Sequence, residues 1–152
     1  NIMYGFIKFN TEVLNFADYL LKIPGIKSII VLNSYFSRWD NGTSPAGYKF
    51  TGGLKVYYSE DFQRKMVDVS DRPGKYKWKE GFLFRGGSDY WFGNSFFDLI
   101  PKEVLLTFTD CEVNEVLPNG YVLIRLFDLR DYWEDANQTR LANFRDFLGI
   151  DK

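Results

Sequence analysis

Apolar residues along this chain recur in two rhythms, every second position or every third to fourth, and these mark out strands and helices. Tyr4 to Phe9 predicts a first strand. Asn10 or Thr11 then caps a helix whose apolar positions Val13, Phe16, Ala17, Leu20 and Leu21 share one face, and Pro24-Gly25 stops it. Lys27 to Phe36, with its Ile-Ile-Val-Leu run, predicts a strand buried on both faces or nearly so. Ser37 to Gly47 carries Asn-Gly, Ser-Pro and a further glycine, the signals of a loop. Tyr48 to Tyr58 predicts a strand interrupted at Gly52-Gly53. Ser59 to Ser70 supports two readings: a short helix capped by Ser59, with Phe62 and Met66 inward, or a strand around Met66 to Val69. Asp71-Arg72-Pro73-Gly74 is a turn.

Further along, Tyr76, Trp78, Phe82 and Phe84 alternate with Lys77, Lys79 and Arg85. That pattern predicts one strand kinked at Gly81, with a core-facing aromatic side and a wet basic side. Gly86 to Asn94 predicts a glycine-rich aromatic loop, and Ser95 to Ile100 one helical turn before Pro101. Lys102 to Leu117 and Tyr121 to Leu129 predict long strands joined at Pro118-Asn119-Gly120. In that hairpin Val104, Leu106 and Phe108 pack with Val122, Ile124 and Leu126. A closing helix runs from about Asp131 to Leu148, with Trp133, Ala136, Arg140, Leu141, Phe144, Phe147 and Leu148 on its inner side and Gly149 as its cap. Strands gathered between two helices predict an α+β fold: a curved, mainly antiparallel sheet of about six strands with an N-terminal and a C-terminal helix packed against it. With 152 residues and no linker or repeat, residues 1–152 are expected to form a single globular domain. Asn1-Ile2 reads as a short remnant ahead of a native start at Met3.

Composition then removes chemistry. No histidine is present, which excludes Ser-His-Asp and Cys-His catalysis and every histidine-ligated metal site. One cysteine, Cys111, makes neither an internal disulfide nor a two-thiol metal site. The expectation is therefore no catalytic residues, no metal and no cofactor. No apolar run approaches the roughly 20 residues of a membrane helix, and no export signal is visible, so a cytoplasmic protein without a membrane partner is expected. Aromatic content is high, at 19%, so the chain folds rather than staying disordered. The net charge of −1 conceals a gradient: after Thr109 there are five basic residues against nine acidic ones. Such segregation steers charged partners or simply forms two solvated faces.

Candidate sites follow from these features. Gly52-Gly53 and Gly86-Gly87 lack the spacing of a phosphate loop, and turn geometry accounts for them. The strand around Tyr76, Lys77, Trp78 and Lys79 has the residue types that stack on single-stranded nucleic acid. Alternation instead assigns its rings to the core, and a chain without net positive charge is expected to take no direct nucleic acid. Asp128, Asp131, Glu134 and Asp135 form the densest acidic cluster. Asp131 and Glu134 also have the spacing of a helix cap, and first-turn acids suit the helix dipole. Two polar segments carry large rings, Trp39-Asp40-Asn41 and Ser88-Asp89-Tyr90-Trp91-Phe92, and such rings dominate interface energy. Cys111 reads as a small buried hydrophobe.

A single small histidine-free domain with aromatic loops, an acidic end and no catalytic motif resembles the immunity proteins of bacterial contact-dependent inhibition and other polymorphic toxin systems. The resemblance implies an α/β or β-rich protein that binds a cognate toxin domain, such as a nuclease, and blocks its active site. It transfers no family residues, because it rests on size and organisation. Residue chemistry nominates Trp39, Asp40, Asp89, Tyr90, Trp91, Asp128, Asp131, Tyr132, Glu134 and Asp135 as the contact set of a protein that is monomeric when unbound. The competing readings are a domain holding a small ligand or polysaccharide on aromatic loops, and a histidine-free nuclease using Tyr76, Lys77, Lys79 and Arg85.

Overall fold

The computed structural model describes residues 19, 20, 22, 23, 26–48 and 54–152. Its elements in order are β1 (Ser28–Val31), α1 (Ser34–Asn41), a 3-10 turn at Pro45–Gly47, β2 (Val56–Ser59), β3 (Arg64–Val67), β4 (Lys77–Lys79) and β5 (Phe82–Phe84). These are succeeded by β6 (Asp89–Phe92), a 3-10 turn at Asn94–Phe96, α2 (Lys102–Leu105), β7 (Val113–Val116), β8 (Val122–Arg125), a 3-10 turn at Leu129–Asp131 and α3 (Asp135–Phe147). Every strand pairing is antiparallel. The fold is α+β, but the expected single curved sheet of about six strands is divided in three. One sheet has the order β1-β6-β8-β7, and β2-β3 and β4-β5 stand as separate hairpins. Each hairpin closes its ladder locally between strands adjacent in the chain. The strand expected at Tyr4 to Phe9 and the helix from Asn10 to Leu21 lie outside the described residues, except Tyr19 and Leu20 of that helix. So does the interruption at Gly52-Gly53.

Strand β6 is central and buried along its whole length. Its even residues Tyr90 and Phe92 sit opposite Ile124 and Val122 on one face of the sheet. Helix α3 covers that face with Leu141, Phe144 and Leu148. The Phe144 ring lies 4.8 Å from Tyr90 and 5.0 Å from Phe108. Burying rings and leucines of this size stabilises by about 1.5–3 kcal/mol each, so this layer holds the domain. Trp91 and Leu123 face the other way and form a smaller cluster with Ile29 and Val113.

Asp89–Phe92 therefore corrects the expected loop from Gly86 to Asn94: three aromatic-rich residues behind Asp89 prefer a pleated, buried setting. Helix α1 corrects two expectations, since it takes the end of the strand predicted for Lys27 to Phe36 and the start of the loop predicted for Ser37 to Gly47. The Asn33 side chain accepts a hydrogen bond from the Tyr35 amide at 2.8 Å and opens the helix. Phe36 and Asp40, four apart, then face inward.

The segment Ser59 to Ser70 resolves as strand β3, with Val56 opposite Val67 and Ser59 opposite Arg64. Residues 102–117 are not one long strand. Pro101 leads into the single turn of α2, which buries Leu105 and leaves Val104 and Leu106 exposed, so the expected packing of those two against β8 does not form. The hairpin at Pro118-Asn119-Gly120 is present between β7 and β8, with Val113 opposite Arg125 and Val116 opposite Val122. The last helix begins at Asp135, later than Asp131, so Trp133 precedes it and is exposed, and Ala136 lies on its wet side rather than inside. No side chain caps its start at Glu134, so the expected pairing of Asp131 with Glu134 as a cap is absent.

Between β4 and β5 the chain does not kink but reverses. Glu80 and Gly81 both take positive φ, 48° and 80°, which makes a two-residue hairpin turn. That turn inverts the parity of β5 relative to β4. Trp78 pairs with Leu83, and Lys77 with Phe84. Phe82 and Phe84 are core as expected, but they share their face with Lys77 and Lys79. Tyr76 and Trp78, expected in the core, are 51% and 54% exposed.

Candidate protein-docking face

Helix α1 and the segment leading into α3 bring six of the nominated residues together. The segment's anchor is Tyr132, which is fully buried and stacks on Phe36 with ring centroids 4.3 Å apart and planes 11° from parallel. Its hydroxyl donates to Asp40 Oδ2. Asp40 is only 1% exposed, and burial pushes its carboxyl up to about 6, against the opposing pull of the Tyr132 hydrogen bond, Arg72 and Arg145. Burial and the neighbouring Asp40 likewise hold the Tyr132 hydroxyl far above its ordinary value. Two glycines make room for this carboxylate. A Cβ on Gly74 would fall 1.9 Å from Asp40 Oδ2, and one on Gly86 would fall 2.5 Å from the Gly74 Cα. Asp40 is sealed from solvent, so it fixes the face from beneath instead of touching a partner.

Above this anchor lies a ledge of rings. Trp133 packs edge-on against Phe36 at 5.2 Å, Trp39 at 5.3 Å and Tyr132 at 5.6 Å. Tyr35 closes the row at 6.3 Å from Trp133. The Arg72 guanidinium sits 4.2 Å over the Trp39 ring, donates to the Trp39 carbonyl and also donates to the Tyr48 hydroxyl at 2.9 Å. A cation on a ring of this kind is worth about 0.5–2 kcal/mol. Tyr48 in turn donates to the Gly42 carbonyl at 2.5 Å. The Trp39 ring is thus fixed in place, Trp133 packs on three rings, and Tyr35 and Trp133 remain 65% and 45% exposed.

Acidic side chains border this ledge. Asp131, Glu134 and Asp135 are exposed and, among the described residues, form no ion pair. Asp128 differs. It accepts from the Arg130 amide and pairs with the Arg130 guanidinium at 2.5 Å, and those hydrogen bonds hold its carboxyl down at about 2. The other nominated residues do not join the face. Asp89, Tyr90 and Trp91 are buried in β6, not displayed on a loop. Asp89 pairs with Arg125 at 2.6 Å and accepts from Ser88 Oγ at 2.6 Å. Tyr90 donates to the Arg85 carbonyl at 2.8 Å and accepts from the Gly87 amide at 2.9 Å. Buried in this way, the three offer a partner no surface.

Residue reasoning missed Tyr35, and it placed Trp133 inside. The available signal was Asn33-Ser34, a helix-opening pair that turns Tyr35 outward. The face holds no nucleophile beside a base. Cys111 lies elsewhere, donates to the Phe108 carbonyl, and has its thiol pushed up by burial. Among the described residues there is no group of three potential metal ligands, and no helix long and apolar enough to cross a membrane. No family model, curated protein or solved structure matches this chain.

Proposed function

We propose that this protein is a toxin-neutralising immunity protein that binds a cognate toxin domain and blocks its active site. The observation that carries the reading is the ledge of Tyr35, Trp39 and Trp133, held rigid over the Tyr132–Asp40 anchor and bordered by three unpaired carboxylates. Rigid exposed aromatics supply most of the energy of protein interfaces and lose little side-chain entropy on binding. Carboxylates without partners favour a basic surface opposite them. A nuclease presents such a surface, since its active site must hold phosphates, and an acidic border imitates them.

The test is protection. The chain is coexpressed with the product of the neighbouring gene and growth is followed, with Trp133→Ala as the variant. A toxic neighbour whose effect this protein cancels, and which Trp133→Ala fails to cancel while keeping the wild-type circular dichroism, supports the proposal. A harmless neighbour, or a toxin left fully active, overturns it.

A further inference from the structure

The parity inversion at Glu80-Gly81 creates a second surface, which reaches the C-terminal end of α1 at Asn41. Tyr76, Trp78, Leu83 and Arg85 share the outward side of the β4-β5 hairpin. Tyr57 of β2, 49% exposed, stands alongside. The rings divide a groove into two adjoining hollows with Tyr76 as the ridge between them. One hollow, about 200 Å³, lies between Tyr57 and Tyr76 over Val67 and Val69. The other, about 190 Å³, lies between Tyr76 and Trp78 with Leu83.

Asn41, Thr43 and Asp68 bring acceptors to this groove, but several of its donors are unspent. The Tyr57 and Tyr76 hydroxyls, the Trp78 indole N–H and the Lys75 ammonium have no hydrogen-bond partner among the described residues. An indole N–H and an ammonium donate and never accept. Arg85, at the far end of the groove, is engaged by the fold, where it donates to Ser37 Oγ at 2.8 Å. The single carboxylate lining the hollows, Asp68, already accepts from the Ser70 amide.

We propose that this groove binds a proline-rich segment of another protein in the polyproline II conformation. Such a segment is the chemical complement of the groove. Its backbone makes no internal hydrogen bonds, and each proline lacks an N–H, so it presents carbonyl acceptors to those unspent donors. Three residues per turn at about 3.1 Å each return a ring to the same side roughly every 9 Å, so successive rings address adjoining hollows in turn. The helix is preformed, so little ordering entropy is lost when it docks. Other occupants fit less well. Single-stranded nucleic acid needs a continuous cationic track; the hollows carry Lys75 at one end and Arg85 at the other, and Lys77 and Lys79 point to the opposite side, where they engage Asp151 and the Gly149 carbonyl. A sugar hydroxyl both donates and accepts, and Trp78 and Lys75 accept nothing from it.

The test titrates the isotope-labelled full chain with a blocked decaproline peptide and follows backbone amides and the Trp78 indole resonance by NMR. The expected result is saturable shifts confined to Tyr57, residues 75–85 and the Trp78 indole. Trp78→Ala weakens binding by roughly thirtyfold, the loss typical of a truncated central aromatic. Its circular dichroism stays that of the wild type, because the ring is exposed. Tyr58→Ala, also exposed but not lining the groove, binds as the wild type does. Three results overturn the proposal: no saturation up to about 1 mM peptide, shifts mapping elsewhere on the wild-type chain, or a chitohexaose or oligothymidine probe moving these resonances while decaproline does not.

Discussion

Replacing Asp40 by asparagine removes the charge from the least solvated carboxylate of the docking face and keeps its shape. Burial raises this carboxyl from its ordinary 3.8 to about 6. At about 1.4 kcal/mol for each tenfold change in proton affinity, the charged form is disfavoured in the folded protein by about 3 kcal/mol. Because the folded value is the higher one, the native state binds more protons than the unfolded chain across this interval. Stability from this group is therefore fully present below about pH 4 and is lost as pH rises through about 6. The other carboxyls held away from their ordinary values, Asp68, Asp71, Asp110, Asp128 and Asp151, are all held low, so their contribution is lost only below that window.

Asp40→Asn keeps an oxygen to accept from Tyr132. Its amide nitrogen replaces an Oδ1 that has no partner, which adds a pH-independent penalty of about 1–3 kcal/mol. The informative quantity is thus the change between two pH values. From pH 4 to pH 7 the variant gains about 2–3 kcal/mol relative to the wild type. For a chain of this size that is roughly 5–10 °C in melting temperature. Urea unfolding or thermal melts across that pH range measure it directly. Parallel stability curves for the two proteins would refute the reasoning and show that the carboxylate is solvated or paired in solution.

The same structure makes other outcomes checkable. Gly86→Ala brings a Cβ within 2.5 Å of the Gly74 Cα and 3.1 Å of Asp40 Oδ2. It should lower stability by about 1–3 kcal/mol in chemical denaturation, as overpacking does. Gly120, at φ 85° in the β7-β8 turn, has open space around it. Gly120→Val should therefore lose about 1–3 kcal/mol through backbone strain alone, seen as a lower melting temperature. Once a partner is in hand, reversing the charge at Glu134 and Asp135 should slow association and weaken binding. The loss should be larger at low salt than at high salt, as stopped-flow kinetics at two ionic strengths would show.

Local chemistry made several features legible. Pro118-Asn119-Gly120 announces a tight turn because the one positive φ it requires falls on its glycine. Leu141, Phe144 and Leu148 announce a buried helix stripe because their spacing matches one turn. Residue type nominates Trp39, Tyr132 and the acids after Asp128 as contact chemistry, but it does not say that Tyr132 is buried while Asp131, Glu134 and Asp135 are exposed. Features decided by strand pairing were not legible. Glu80-Gly81 is not a strong hairpin dipeptide, and reading through it assigned Tyr76 and Trp78 to the core. A two-residue reversal there exchanges the faces of every residue beyond it, and exposes a groove that the alternation had hidden. Asp89–Phe92 looked like a displayed loop because glycines flank it. Only the ladders to β1 and β8 on its two sides make it the centre of the sheet. The meeting of Asp40 with Tyr132, 92 positions apart in the chain, likewise belongs to packing. No local pattern encodes which distant hydroxyl reaches a buried carboxylate, because that choice is made by how α1 settles against the segment leading into α3.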